Sequence, residues 1–348
     1  MSDLLYVPVL PVRPHAVEAY RWLRPNDQQG VAPLWNLPPR PGAAAPALAA
    51  AMRKDLASVS RVQRHRAAWI DAPFADETQV PVLAEVLQEY SVLGTLQPVT
   101  GPDRSPLQQT ASIVAATRSG WGLGVRVRVP GEWDSAAAEA VGSLLSRADP
   151  AIEVDLLLDM GGVLGNRPDA GKEALRALDA LFPLTPWRSV SVLSGGFPHV
   201  TADMLDQGLR DEPRWDWAMW QEVAHSRRAY VPALTYGDYG TQPVEAITRI
   251  SRPEQKGGPD WGFLRYTTEQ TFVLAKVLHS GVDKTAFNRA AASEIVGLTD
   301  FRGPTAGAGE SWLRDCARGD GNSGTFQKWL SVGNAQHFSY VAHTLRRG

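Results

Sequence analysis

The residues best suited to chemistry in this 348-residue chain are charges set within apolar runs. In GVRVRVP, Arg126 and Arg128 alternate with Val125, Val127 and Val129; in VDLLLDM, Asp155, Leu157 and Asp159 alternate with Val154, Leu156 and Leu158. A period of two puts each set on one face of a β-strand. The apolar rows must pack under helices, so both arginines and both aspartates should point into whatever the strands enclose. Buried charges are tolerated there only when paired. The pattern therefore predicts Arg126 with Asp155 as a lower, supporting pair and Arg128 with Asp159 as an upper pair facing a ligand. The alternative is a buried ion-pair network with a purely structural role.

Two glycine-containing turns, SGGFPHVT and YGDYGTQ, follow later apolar runs. In the first, Ser194, Gly195 and Gly196 leave backbone amides uncovered ahead of a segment, 201–209, with helical spacing; a helix N-terminus there would attract an anion. In the second, Gly237 and Gly240 flank Asp238 and Tyr239. Both sets of glycines serve equally well as simple turn formers. Arg265 and Tyr266 in LRYTT could fold over the same region, where a guanidinium suits phosphate or carboxylate. His337 is the best placed of seven histidines, with His65 and His199 weaker. Asp159, Asp238 and His337 are thus the candidates to move protons. Arg13, Asp71, Arg128, Ser194, Gly195, Gly196, Tyr239, Arg265 and Tyr266 are the candidates to hold a ligand.

Other chemistries find little support. The single cysteine, Cys316, excludes an internal disulfide framework and a cysteine-rich zinc site. There is no HxH or HExxH spacing, so no metal is expected; a magnesium site from Asp71, Asp159 and Asp238 is a weaker alternative. GxSxG and P-loop motifs are absent. The glycines of GWGLGV precede a strand instead of following one, which argues against a dinucleotide site. The sequence leaves the cofactor unknown.

The elements that must position these residues alternate regularly. Apolar runs at 5–11, 31–37, 67–73, 96–101, 122–129, 153–160, 190–195 and 230–236 read as strands. Helical spacing recurs between them at 47–62, 84–92, 105–116, 134–146, 169–181 and 201–209. Eight β–α units point to an α/β fold, a closed (β/α)8 TIM-type barrel over about residues 1–250. Such barrels place their sites at the C-terminal ends of the strands. A short helix at 244–250 closes the barrel and a Gly/Pro-rich linker, RPEQKGGPDWG, follows. Residues 251–348 then form an appendage with helices at 268–279, 284–296 and 335–345, packed over one end of the barrel.

Charge and composition narrow the setting. Hydrophobic residues are 44% of the chain and the net charge is -2, which gives a large core and no global pull toward nucleic acid or anionic membrane. Basic segments with interleaved aromatics occur only in scraps such as RVQRHRAAW, arguing against sequence-specific DNA binding. With no apolar run of membrane-spanning length and no signal-peptide pattern, a soluble cytoplasmic protein is expected. Most of the twelve tryptophans are expected in the core or at an interface.

Several segments, in order along the chain, resemble the phage "beta protein" family, a bacterial and T-even-phage group. They are YVPVLPVRPHAVEA, VAPLWNLPP, VRVRV with VDLLLDMGG, VSVLSGGFP, YGDYG, LRYT and WLSVGNAQHFSYVAHTL. The chain differs from the family pattern at Asn36, where an acidic residue is expected, and across Pro11–Arg13, where a lysine is common. The resemblance implies a phage–host conflict setting and no particular reaction. Joined to the residues above, the expectation is a barrel whose mouth binds a phosphorylated or nucleotide-like ligand, with phosphodiester chemistry as one outcome. The alternative is a non-catalytic sensor, or a protein recognising a phage component through its loops. An enzyme requires converging acid and base groups in an open mouth; a sensor tolerates a sealed lumen.

Overall fold

The structure, a computed structural model, describes residues 4–64, 66–93, 96–248 and 259–347. In chain order its strands are β1 (Tyr6–Pro11), β2 (Leu34–Asn36), β3 (Ala68–Asp71), β4 (Leu96–Thr100), β5 (Leu123–Arg128), β6 (Val154–Gly162), β7 (Ser189–Gly195), β8 (Arg210–Pro213), β9 (Leu234–Asp238), β10 (Trp261–Thr267) and β11 (Thr271–Leu278). All but β8, β10 and β11 form a closed parallel barrel, in which β9 pairs with both β7 and β1. The expected barrel is there, with each expected strand in place. The last one starts late: Val231–Ala233, which contains Pro232, forms a 3-10 turn first.

Around the barrel run α1 (Pro14–Arg21), α2 (Pro25–Gln28), α3 (Ala45–Gln63), α4 (Val80–Leu93), α5 (Pro106–Ser119), α6 (Ala136–Leu145), α7 (Ala170–Leu181) and α8 (Trp215–Ala224). Local chemistry sets their ends. In α5, Ser105 Oγ accepts from Gln108 N at 3.3 Å, Pro106 occupies the first turn, and Gly120 ends the helix at φ 69°. The expected helix at 201–209 is instead a 3-10 turn, Asp203–Leu205, followed by Gly208 at φ 92° and then β8. The helix linking the seventh and eighth barrel strands is α8, which lies later in the chain.

Strand alternation divides the charges. Tyr6, Leu10, Ile70, Val125, Val127, Leu156, Leu158, Val192 and Tyr236 face outward into the main core under the helices. Val7, Val9, Leu34, Trp69, Val99, Leu157 and Leu193 fill the lumen. The barrel interior is packed, as expected of this architecture.

The appendage contains α9 (Lys284–Val296), α10 (Ala308–Arg318) and α11 (Phe326–Leu345), but it also holds a sheet. β10 and β11 form an antiparallel hairpin, and β8 pairs with β11 from within the barrel sequence. The helix expected at 268–279 is therefore a strand. Its sequence, TFVLAKVL, is β-branched-rich and almost wholly buried, a pattern that fits both element types when read alone. Most of the RPEQKGGPDWG linker, the end of the 244–250 helix and His65 lie outside the described residues. Trp35, Trp69 and Trp329 are fully buried, as most tryptophans were expected to be, while Trp121 and Trp215 are exposed. Among the described residues no helix is long and apolar enough to cross a membrane.

Candidate functional site

Arg126 is the centre of the upper lumen and is 2% exposed. Its Nε and Nη2 donate to Asp159 Oδ2 at 3.0 and 2.8 Å, and its Nη1 donates to Asp71 Oδ2 at 2.7 Å and Asn36 Oδ1 at 2.8 Å. The Tyr239 hydroxyl lies 2.8 Å from Asp159 and from Arg126 Nη2. From the turn after β4, Arg104 Nη2 reaches Asp71 Oδ2 at 3.2 Å. Burial works against the Arg126 charge, but Tyr239, Asp159 and Asp71 outweigh it and hold its pKa well above the ordinary value. Burial and Asp159 likewise raise the Tyr239 pKa.

The lower lumen is closed separately. Asp155 accepts from Trp69 Nε1 at 3.0 Å, Ser189 Oγ at 2.7 Å and Arg188 Nε at 2.9 Å. Arg188, the residue before β7, also bonds Gln97 and Glu153. The two expected pairs are therefore replaced. Arg126 pairs upward with Asp159 and Asp71, Asp155 pairs with Arg188, and Arg128 is exposed at the rim. Barrel geometry explains the change: strands tilt by about 36°, so ladder neighbours do not lie at one height in the lumen.

Asp238 does not line the mouth. It shares the outward face of β9 with Tyr236 and is buried behind the barrel wall against α11. There it accepts from the Tyr6 hydroxyl at 2.6 Å, Gly240 N at 2.8 Å and His337 Nε2 at 2.8 Å. His337 Nδ1 lies 2.9 Å from Thr267 Oγ1, which ties the barrel to β10. Burial would raise the Asp238 pKa, but His337 and these hydrogen bonds bring it below the usual aspartate value. The barrel wall thus separates Asp159 from the Asp238–His337 pair, and all three are hydrogen-bonded within the protein. Asp71, Asp159 and Asp238 are not brought together as the magnesium alternative required.

The glycine turn after β7 is also occupied. A Cβ on Gly195 would collide with Val244, and one on Gly196 with Asp216. Ser194 faces outward with Val190 and Val192, and no α-helix starts at 201. Tyr266 lies inside the appendage core, accepting from Arg302 N at 2.9 Å.

Arg265 is different. It is 5% exposed and stacks on Phe263, with its guanidinium 3.9 Å from the ring centroid. Its Nε donates to Thr241 O and its Nη1 to Phe263 O, both at 3.0 Å. Among the described residues no carboxylate pairs with it, and burial alone lowers its pKa to about 9. Beside it His15, 4% exposed, lies between Gln327 Oε1 and Gln242 Oε1, each at 3.1 Å. Burial, reinforced by the charges of Arg13 and Arg265, lowers the His15 pKa to about 4 despite the two glutamine contacts. Arg13, His15 and Arg265 thus gather where the barrel mouth meets the appendage.

The fold and this geometry stand beside one family likeness. Residues 6–343 match the family described as Beta protein. The chain belongs to the Beta protein family. No curated protein matches the sequence. Among solved structures, a mutant tryptophan synthase α-subunit from the hyperthermophile Pyrococcus furiosus is similar at 12% identity. The alignment covers 68% of this chain and 88% of that one, with a TM-score of 0.42. In this Beta protein, Asn36 has a clear task where an acid was expected: its Nδ2 donates to Leu10 O at 3.3 Å and Leu34 O at 3.2 Å while its Oδ1 accepts from Arg126. A carboxylate could not donate to those carbonyls.

Arg104, Arg188, Arg214 and His15 were not singled out by the sequence pattern. His15 lies two residues beyond Arg13, so the strand-end rule almost reached it. Arg188 sits at the opposite end of its strand, where that rule does not look.

Proposed function

We propose that this Beta protein is a non-catalytic recognition protein that holds a phosphate-bearing anion at the seam between barrel mouth and appendage. The observation that carries the reading is Arg265, a buried guanidinium with no carboxylate among the described residues to balance it. A buried cation without a partner is costly, and an anionic ligand would supply the missing charge. Arg13 adds positive charge, and the amides of Gln242 and Gln327 add polar contacts around His15. Binding without chemistry is favoured because Asp71 and Asp159 already hold guanidinium groups and Asp238 holds His337. No acid–base pair converges on the seam. In the phage–host setting implied by the family resemblance, the ligand would be a phosphorylated component sensed during infection.

The test is thermal unfolding in inorganic phosphate, with sodium chloride at matched ionic strength as control. Phosphate should raise the Tm by mass action. Arg265→Met keeps the side-chain stem and removes the charge, so it should abolish that rise while leaving the protein folded. An equal phosphate effect in Arg265→Met would overturn the reading.

A further inference from the structure

A second feature, separate from Arg265, is a cleft of about 1330 Å³ between α8 and α11. That exceeds the roughly 300–1,000 Å³ of a typical small-molecule site. Its wall includes Arg24, Arg214, Trp217, Arg302, Tyr340 and Arg347. Against these four arginines stand Asp27 and Glu269. Asp27 is already engaged, by Arg346 Nη1 at 3.6 Å and by Ser339 Oγ at 3.2 Å. Arg302 is held by Glu310, with Nε–Oε1 at 2.8 Å. Arg24 and Arg347 are exposed and make no ion pair among the described residues.

The aromatic side is equally specific. Trp217 is half-buried and fixed from behind by an edge contact with Tyr236, centroids 5.1 Å apart at 85°. The Arg214 guanidinium sits 5.1 Å from the Trp217 ring centroid and 5.9 Å from that of Tyr340. Arg214 is 3% exposed, donates from Nη1 to Thr268 O at 3.1 Å, and leaves Nε and Nη2 without an acceptor. Arg302 covers the Tyr340 ring at 5.2 Å, and Trp217, half-buried in the cleft wall with Arg214 over one side, is the ring a planar ligand would stack beside. At the rim, burial and then Arg347 and Arg302 lower the His343 pKa, as a positive potential would.

We infer that this cleft is a nucleotide site, taking a base against Trp217 and phosphates among Arg24, Arg302 and Arg347. Base stacking needs only a π-face, while the phosphates need the cations, and this cleft offers both side by side. The larger space suits a whole nucleotide instead of a bare ion.

Isothermal titration calorimetry of the full chain with ATP, adenosine and inorganic tripolyphosphate tests this. ATP should bind saturably and about tenfold or more tighter than either half alone. The Arg24→Ala/Arg347→Ala double variant, at exposed positions that leave folding intact, should weaken ATP and tripolyphosphate by about tenfold. Trp217→Phe should weaken ATP and adenosine and leave tripolyphosphate unchanged. Arg265→Met should leave ATP binding as it was, which separates this cleft from the seam. No saturable ATP binding in the millimolar range, ATP no tighter than tripolyphosphate, or indifference to the arginine pair would overturn the inference.

Discussion

The lumen and the seam each bury an arginine, and they treat it in opposite ways. Arg126 is held by two aspartates, an asparagine and a tyrosine; Arg265 has two carbonyls and two phenylalanine rings. Opposing charge keeps the Arg126 pKa high, whereas burial alone lowers that of Arg265. A closed set of paired charges can be complete as structure. A buried charge with no carboxylate among the described residues is left open to an anion, so the lumen is complete as scaffold and the seam is the proposed site.

The largest effect should come from breaking the lumen. Asp159→Ala leaves Arg126 partly stranded and should cost about 3–5 kcal/mol in urea unfolding. Adding Arg126→Met should restore part of the loss, because the stranded charge goes with it and Asp71 keeps Arg104. The seam should respond with the other sign: Arg265→Met removes a buried cation that has no carboxylate partner among the described residues and should raise the unfolding free energy in phosphate-free buffer. A loss in Arg265→Met as large as that in Asp159→Ala would erase the contrast between the two regions.

His15 sharpens the comparison through pH. Its folded pKa is about 4, below the unfolded value of about 6.5, so the unfolded chain binds the extra proton first. The stability it contributes is full above pH ~6.5 and is lost as pH falls toward ~4, a change on the order of 3 kcal/mol at 1.36 kcal/mol per unit. His15→Gln should flatten that part of a stability-versus-pH curve. Arg265→Met should shift the limb to lower stability loss, because one of the two charges depressing His15 is gone. A limb unchanged in both variants would show that His15 and Arg265 do not form one polar cluster.

What the sequence made legible follows from how local each signal is. Period-two alternation placed Arg126, Asp155 and Asp159 in the lumen because a strand's faces are set by the chain itself. The pairing partners were not legible, since they depend on barrel tilt, and Arg188 and Arg104 enter from loops. Asp238 was placed at the mouth by the strand-end rule; its parity with Tyr236 would have turned it outward, but the expected strand ended at Tyr236 whereas β9 runs on to Asp238. The strand at Thr271–Leu278 was misread because burial on both faces removes the alternation that distinguishes strand from helix. Arg265 was singled out for its guanidinium chemistry, and the structure buries it beside Phe263, while side chains of Val244 and Asp216 crowd the glycine turn expected beside it.

The smallest effect should be at Arg128, and its smallness is informative. Arg128 shares the inward face of β5 with Arg126, yet one further step along the strand carries it out of the lumen to an exposed position. No ion pair among the described residues involves it, so Arg128→Ala should change unfolding free energy by no more than about 0.5 kcal/mol, as at other exposed sites. If the anion site is the seam, the same variant should keep the full phosphate-induced rise in Tm that Arg265→Met loses. Loss of the phosphate effect in Arg128→Ala, with Arg265→Met unaffected, would move the site from the seam to the barrel rim and return the upper lumen to a functional role.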